Sequence, residues 1–249
     1  AEDVARPAFF EFIPAFTLDQ ASQGRRRGNF FLTQSEIHNF DIGFEYAHDD
    51  ENLLRVGVFH KKIDAPIVEI YQESAGVTVF DNGETAEISG IELEWQHDLG
   101  GPWSITGNYT YIDATLNYFV TRSGIDDREL LSTRFPYQPE HILNLNLGYD
   151  HEDSGWSANL IYNLTGGYPI LLRNSISGGD IVQNEQHSLD FVLRKKWEED
   201  WGDFTMSFGV ENLLESERIL TYEGGSFDGS QSDADFPERQ FFISGKLSF

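Results

Sequence analysis

The sequence contains no cysteine in 249 residues. A disulfide framework and a thiolate metal site are both excluded. There is also no run of about 18 apolar residues, so no transmembrane helix can be built. That absence does not argue against a membrane, because barrel strands alternate and leave a weak hydropathy signal. No charged and apolar leader opens at Ala1. The expectation is a leader already removed, or a chain lying well inside a larger protein. Basic residues are scarce: 17 Lys and Arg stand against 42 Asp and Glu, a formal charge of −25. Nucleic acid, whose phosphates need a basic surface, is not an expected partner. The acidic excess reads first as a solvated surface. Aliphatic content is low as well. Hydrophobic residues are 39% of the chain, yet 14% are aromatic and 23 are glycine, which suits strands that are apolar on one face only.

What is present is a period of two. Trp103, Ile105, Gly107, Tyr109 and Tyr111 fall on one face, and Ser104, Thr106, Asn108 and Thr110 on the other. Leu143, Leu145, Leu147 and Tyr149 oppose Asn144, Asn146 and Gly148. Successive side chains on a strand point to opposite faces, so each such segment is apolar on one side and polar on the other. Nine strands are predicted, at 37–48, 52–63, 84–98, 102–114, 140–150, 155–165, 185–197, 203–213 and 238–249.

The connections alternate strictly. Short ones lie near Asp49–Glu51, Leu99–Gly101, His151–Ser154 and Glu198–Gly202; long ones lie near 64–83, 115–139, 166–184 and 214–237. Short periplasmic turns and long extracellular loops are what an up-and-down transmembrane barrel produces. All five tryptophans (Trp95, Trp103, Trp156, Trp197 and Trp201) lie beside a short turn. Amphipathic rings prefer the membrane–water boundary, so these five are assigned to an interfacial girdle. The fold class expected is all-β, an antiparallel up-and-down transmembrane β-barrel of nine, or at most ten, strands.

Several stretches carry a resemblance. Residues 28–46 read GNFFLTQSEIHNFDIGFEY, and Arg6-Pro7 precedes Phe9, Phe10 and Glu11. Residues 86–95 read AEISGIELEW, 135–149 read FPYQPEHILNLNLGY, and 209–214 read GVENLL. Together, and in this order, they resemble the C-terminal barrel strands of TonB-dependent outer-membrane receptors. The resemblance covers nearly the whole chain. It implies a barrel of roughly 22 strands, of which these would be the last nine, with an N-terminal plug elsewhere. It makes residues 1–35 an extracellular loop, 36–249 barrel strands, and terminal Phe249 the signal read by the barrel-assembly machinery. It further implies outer-membrane lipid of a Gram-negative bacterium as surroundings, TonB as a partner through the plug, and a scarce ligand such as an iron chelate or cobalamin. No cofactor and no enzymatic activity are implied. An isolated piece with two open edges is expected to oligomerise.

Candidate residues follow from this frame. Asp41, Glu45, Glu92, Glu94, Asp190, Arg194 and Glu211 occupy polar faces and point into the lumen of a barrel, as a hydrated wall or plug contact. Arg25, Arg26 and Arg27 form the densest basic run and could hold an anionic ligand by charge-assisted bonds, or could simply be a solvated loop. Asp228–Asp235 has carboxylates that Ca²⁺ could use, but not the pattern of a Ca²⁺-binding loop. His38, His60 and His141 have no metal-site spacing, and His187 and Ser188, being adjacent on a strand, face opposite ways. Two other readings stay open: a small self-contained channel or adhesin, with a tenth strand inside 8–18, and a secreted β-sandwich with tryptophan at both strand ends.

Overall fold

The structure, a computed structural model, describes residues 1–18, 25–49, 51–72, 75–121, 128–173 and 179–248. The main sheet has eleven strands, ten of which run side by side in chain order: β1 (Glu2–Ala5), β2 (Ser35–Ala47), β3 (Leu53–Asp64), β4 (Thr85–Gly100), β5 (Trp103–Thr121), β6 (His141–His151), β7 (Trp156–Thr165), β8 (Gln186–Glu199), β9 (Gly202–Glu211) and β10 (Gln240–Ser248), with Arg128–Arg134 paired to the end of β5. Each pairs antiparallel with its neighbour in sequence, so the wall is up-and-down throughout. Among the described residues the sheet is open, because β1 and β10 are each paired on one side only.

All nine expected strands are present as β2–β10. Their ends agree within two residues except at β5, which continues to Thr121 and turns back through Arg128–Arg134. The tenth strand is not inside 8–18. It is Glu2–Ala5, whose four residues pair with Ser35–His38. Residues 8–18 instead hold a helical turn, Phe9–Phe12, and a short strand, Phe16–Leu18. The span 1–35 is therefore a strand plus a loop rather than a loop alone.

The register fixes the tilt of the wall. Glu45, Arg55, Glu94, Asn108, Asn144, Asn163 and Ser188 stand directly opposite one another across β2 to β8. Glu45 is two residues from the Ala47 end of β2, while Ser188 is eleven from the Glu199 end of β8. That row thus climbs nine residues, about 30 Å of strand, across six strand spacings of about 4.8 Å each. The strands incline by roughly 45° to the line of short turns, the inclination of transmembrane barrel strands.

Close approaches of a ring to a glycine set the register locally, Phe59 over Gly90 among them. The Trp95 ring lies over Gly107 on one face of the wall, and the Phe242 ring lies over Gly209 on the other. A Cβ at any of these glycines would overlap the ring.

The long connections are not irregular. They build a second sheet of eight strands, in the order Gln231–Asp235, Arg218–Glu223, Asp180–Gln183, Tyr168–Arg173, Ile67–Gln72, Val77–Asn82, Arg25–Arg27 and Phe16–Leu18. Two of its pairings are parallel, which joins strands from different loops. The hydrophobic core sits at this end. Ile63, Val68, Ile70, Ala86, Ile88, Leu116, Tyr118, Val120 and Leu172 form one buried cluster, with Ala86, Leu116 and Leu172 at 0% exposure. Leu116 and Leu172 join the extended part of β5 to the loop sheet, so they couple wall and loops by apolar burial. Leu116→Ala is expected to loosen the loop sheet by about 2–5 kcal/mol. Faster amide exchange at Ile70 and Leu172, with β6 and β7 unchanged, is the signature to measure.

Candidate functional site

The pairing register sorts the wall into two unlike faces. Asp41, Glu45, Glu92, Glu94, Asp190, Arg194 and Glu211 all fall on one face. Trp95, Trp103, Trp156 and Trp197 fall on the opposite one. Trp201 lies in the turn between β8 and β9. The tryptophan face is apolar and bare: Phe40, Ile42, Phe44, Phe208, Phe241 and Ile243 are all exposed. Near the short turns, Lys195 places its ammonium 5.4 Å from the Trp156 ring and 5.6 Å from the Trp197 ring. Trp103 meets Tyr149 edge-on at 4.9 Å.

The charged face carries its ionic contacts across strands. Arg55 donates from Nε to Glu45 Oε2 at 2.7 Å and from Nη1 to Glu94 Oε2 at 3.0 Å. The three residues lie in β2, β3 and β4 and share one row. They line a recess of about 740 Å³ together with Glu92, Asn108 and Thr110. The small residues Gly43 and Gly57 open its floor. Further along the face, Asp190 accepts from the Ser188 hydroxyl at 3.1 Å and from the Asn212 amide at 2.8 Å. A second recess, about 310 Å³, is lined there by Asn163, Ser188, Glu211 and Asn212. Arg194 stands between Ser157 and Ser207, and Asp41 stands opposite Phe59, so neither joins the Arg55 group.

Arg25, Arg26 and Arg27 do not all share one face. They form a strand in the loop sheet, where alternation sends neighbours to opposite faces. Arg25 lies 4.4 Å over the Phe16 ring. Arg26 pairs with Glu69 at 3.1 Å. Arg27 lines a recess of about 440 Å³ with Phe16, Phe30 and Phe31. Strand geometry thus separates Arg26 from Arg25 and Arg27, which share one face beside Phe16.

The remaining candidates stay apart. His141 and His187 each meet a tyrosine hydroxyl across a strand pair, Tyr109 at 2.8 Å and Tyr162 at 2.7 Å, and His60 meets the Ser89 hydroxyl at 2.9 Å. In the acidic loop, Asp228 accepts from the Gly224 amide and Asp235 approaches Arg218 at 3.9 Å, each serving local structure. Among the described residues no three His, Asp or Glu side chains gather as metal ligands. Phe249 lies outside the described residues. Within the loop sheet, burial pushes the Asp180 carboxyl above the usual range, against hydrogen bonds from the Arg173 amide and the Thr133 hydroxyl. In the turn after β2, the Asn52 side chain holds Asp49 below it.

Arg55 and the asparagines at 108, 144 and 163 were absent from the sequence candidates. Arg55 was nonetheless legible. Glu45 and Arg55 are each five residues from the centre of the Asp49–Glu51 turn, so hairpin pairing alone brings them together.

The TonB-dependent receptor-like β-barrel family matches residues 3–213. The chain belongs to that family. Its members are outer-membrane transporters rather than enzymes. Solved structures that share the fold include the following three. The copper transporter OprC superposes with a TM-score of 0.68 at 17% identity, over 100% of this chain and 36% of that one. The ferric enterobactin receptor PfeA of Pseudomonas aeruginosa gives 0.62 at 16% identity, over 98% and 37%. The siderophore receptor PirA of Acinetobacter baumannii gives 0.57 at 18%, over 91% and 33%. The chain thus spans about a third of the length of these receptors.

The Arg55 group provides a first test. Arg55→Gln leaves Glu45 and Glu94 facing the same space without a cation. The heat-induced mobility shift on gels should then fall to lower temperature in low salt, with the gap closing in high salt, where exposed charges are screened. Adding Glu45→Gln and Glu94→Gln should restore most of the loss. An equal fall at both salt levels would mean the ion pairs are not its cause.

Proposed function

We propose that this chain forms the C-terminal wall and extracellular loops of a receptor that imports a scarce metal complex across the outer membrane of a Gram-negative bacterium. The reading rests above all on the two-faced wall. A bare apolar face edged with tryptophan near the short turns suits lipid, and a charged face suits a hydrated or plugged lumen. The wall has no use for an apolar exterior of this size in water. Energy for uptake would come from TonB through a plug outside this chain. The ligand class is argued by analogy with PfeA, PirA and OprC, whose names give enterobactin, siderophores and copper. The open sheet weighs against a small self-contained channel, because an unpaired edge in hydrocarbon is prohibitively costly.

In this reading Trp95, Trp103, Trp156, Trp197 and Trp201 mark the inner boundary of the bilayer. Lipids brominated next to the headgroup should quench their emission more strongly than lipids brominated at the chain ends; the reverse order would remove the girdle. Arg27, with the Phe16, Phe30 and Phe31 rings beside it, is the residue best placed to meet an anionic chelate. With ferric enterobactin and ionic copper as the probes, uptake should vanish in cells lacking TonB while surface binding survives. Uptake that persists without TonB would overturn the reading. Arg27→Gln should weaken the binding of an anionic probe by roughly tenfold, the loss of one charge-assisted contact.

A further inference from the structure

The row that measures the tilt of the wall has a second property. Glu45, Arg55, Glu94, Asn108, Asn144, Asn163 and Ser188 are all polar, without interruption across seven strands. The neighbouring rows on the same face are broken. Gly43, Gly57 and Ile142 interrupt one; Ala47, Leu53 and Ile161 interrupt the other. None of the seven side chains is buried. The Asn144 side-chain amide donates to Asn108 Oδ1 at 2.8 Å, and the Arg55 bonds tie the lower three residues together. The two recesses on this face lie at its two ends. The larger is lined by Glu45, Arg55, Glu94 and Asn108, and the smaller by Asn163 and Ser188, with Asn144 between them.

Because the strands tilt, this row is not a level ring. It begins two residues from a short turn at Glu45 and ends two residues from the opposite end of β8 at Ser188. It therefore runs diagonally from one rim of the wall to the other.

We infer that this row is a hydrated track along which a small polar solute crosses the wall, handed from one side chain to the next. The inference rests on the charged face being the lumen face. Successive rungs are about 4.8 Å apart, a span that a solute with hydroxyl, carboxamide or carboxylate groups can bridge. Three consecutive rungs are the same carboxamide, so each can replace the hydrogen bonds the last one gave up. Repeated sites of similar, modest affinity are what passage requires, since one deep site would trap the solute. The interrupted rows, with Leu53, Ile142 and Ile161, offer the mixed surface that a fixed packing partner favours and so serve as the banks of the track.

This chain adds no cysteine of its own to the background, and any cysteine elsewhere in the receptor is first replaced by serine. Single cysteines are placed at Asn108, Asn144 and Asn163 in the full receptor, and a small cationic methanethiosulfonate is added outside intact cells. That reagent is itself the polar solute. Leu145→Cys, on the tryptophan face, and Ser232→Cys, on the exposed edge strand Gln231–Asp235 of the loop sheet, are the reference positions. Modification at all three track positions, in the order Asn163, Asn144, Asn108, is expected, at least roughly tenfold faster than at Leu145→Cys, whose thiol pKa an apolar surround raises. Asn163→Trp should slow labelling of Asn108→Cys by roughly tenfold, as an apolar constriction dewets the path. Asn159→Trp, off the row on the same face, should not. Protection of Asn108→Cys and Asn144→Cys, with Leu145→Cys also unlabelled, would mean a packed plug covers the row, and the track is overturned. Rapid labelling of Leu145→Cys would instead show that the assignment of faces is wrong and that the barrel reading itself fails.

Discussion

Hydrocarbon offers a backbone amide no partner, so a wall that crosses it must pair every strand edge within the sheet. Much else in this molecule follows from that requirement. Successive strands pair with their sequence neighbours, which makes the turns at one rim short. The return paths at the other rim are then free to lengthen, and they have done so until they hold eight strands of their own. The stagger of the turns gives the wall the tilt of a barrel wall: strands that incline by roughly 45° curl rather than lie flat.

Two kinds of stabilisation divide the chain between them. The wall has little core, since its apolar side chains point away from one another toward the surroundings. Its cohesion is backbone hydrogen bonding plus cross-strand pairs such as Trp103 with Tyr149 and Arg55 with its two glutamates. The loop sheet is held as a soluble domain is held, by buried Leu116, Leu172, Val68 and their neighbours. The extension of β5 to Thr121 belongs to both, carrying the register of the wall into the packing of the loops.

The wall was legible in the sequence because its signal is local. Alternation of apolar and polar residues shows in each segment alone, and nine strands were placed from it. The loop sheet was not legible, because its decisive pairings are non-local: Leu172 opposite Ile70, and Arg26 opposite Thr78, come from different loops and pair in parallel. Short strands such as Arg25–Arg27 carry too few residues to show a period. Alternation separates Arg26 from its neighbours, and only the three-dimensional pairing sends it to Glu69. Among the lumen candidates, single charges were found by type, whereas Arg55 and the asparagine rungs needed pairing to be seen. The row becomes visible only when seven strands are set side by side.

The glycine sockets under Trp95 and Phe242 bear on how such a wall reaches one arrangement. A slip of one residue between strands turns every side chain to the wrong face and is rejected by its surroundings. A slip of two residues is more dangerous, because each side chain keeps its proper face and the pattern of polarity does not register the mistake. Shape can detect it. Trp95 fits against Gly107, but two positions away it would meet Ile105 or Tyr109, and Phe242 would meet Ser207 or Glu211 in place of Gly209. Each ring in its socket is a key that turns in one position only, and so catches the misalignment that hydrophobicity lets through.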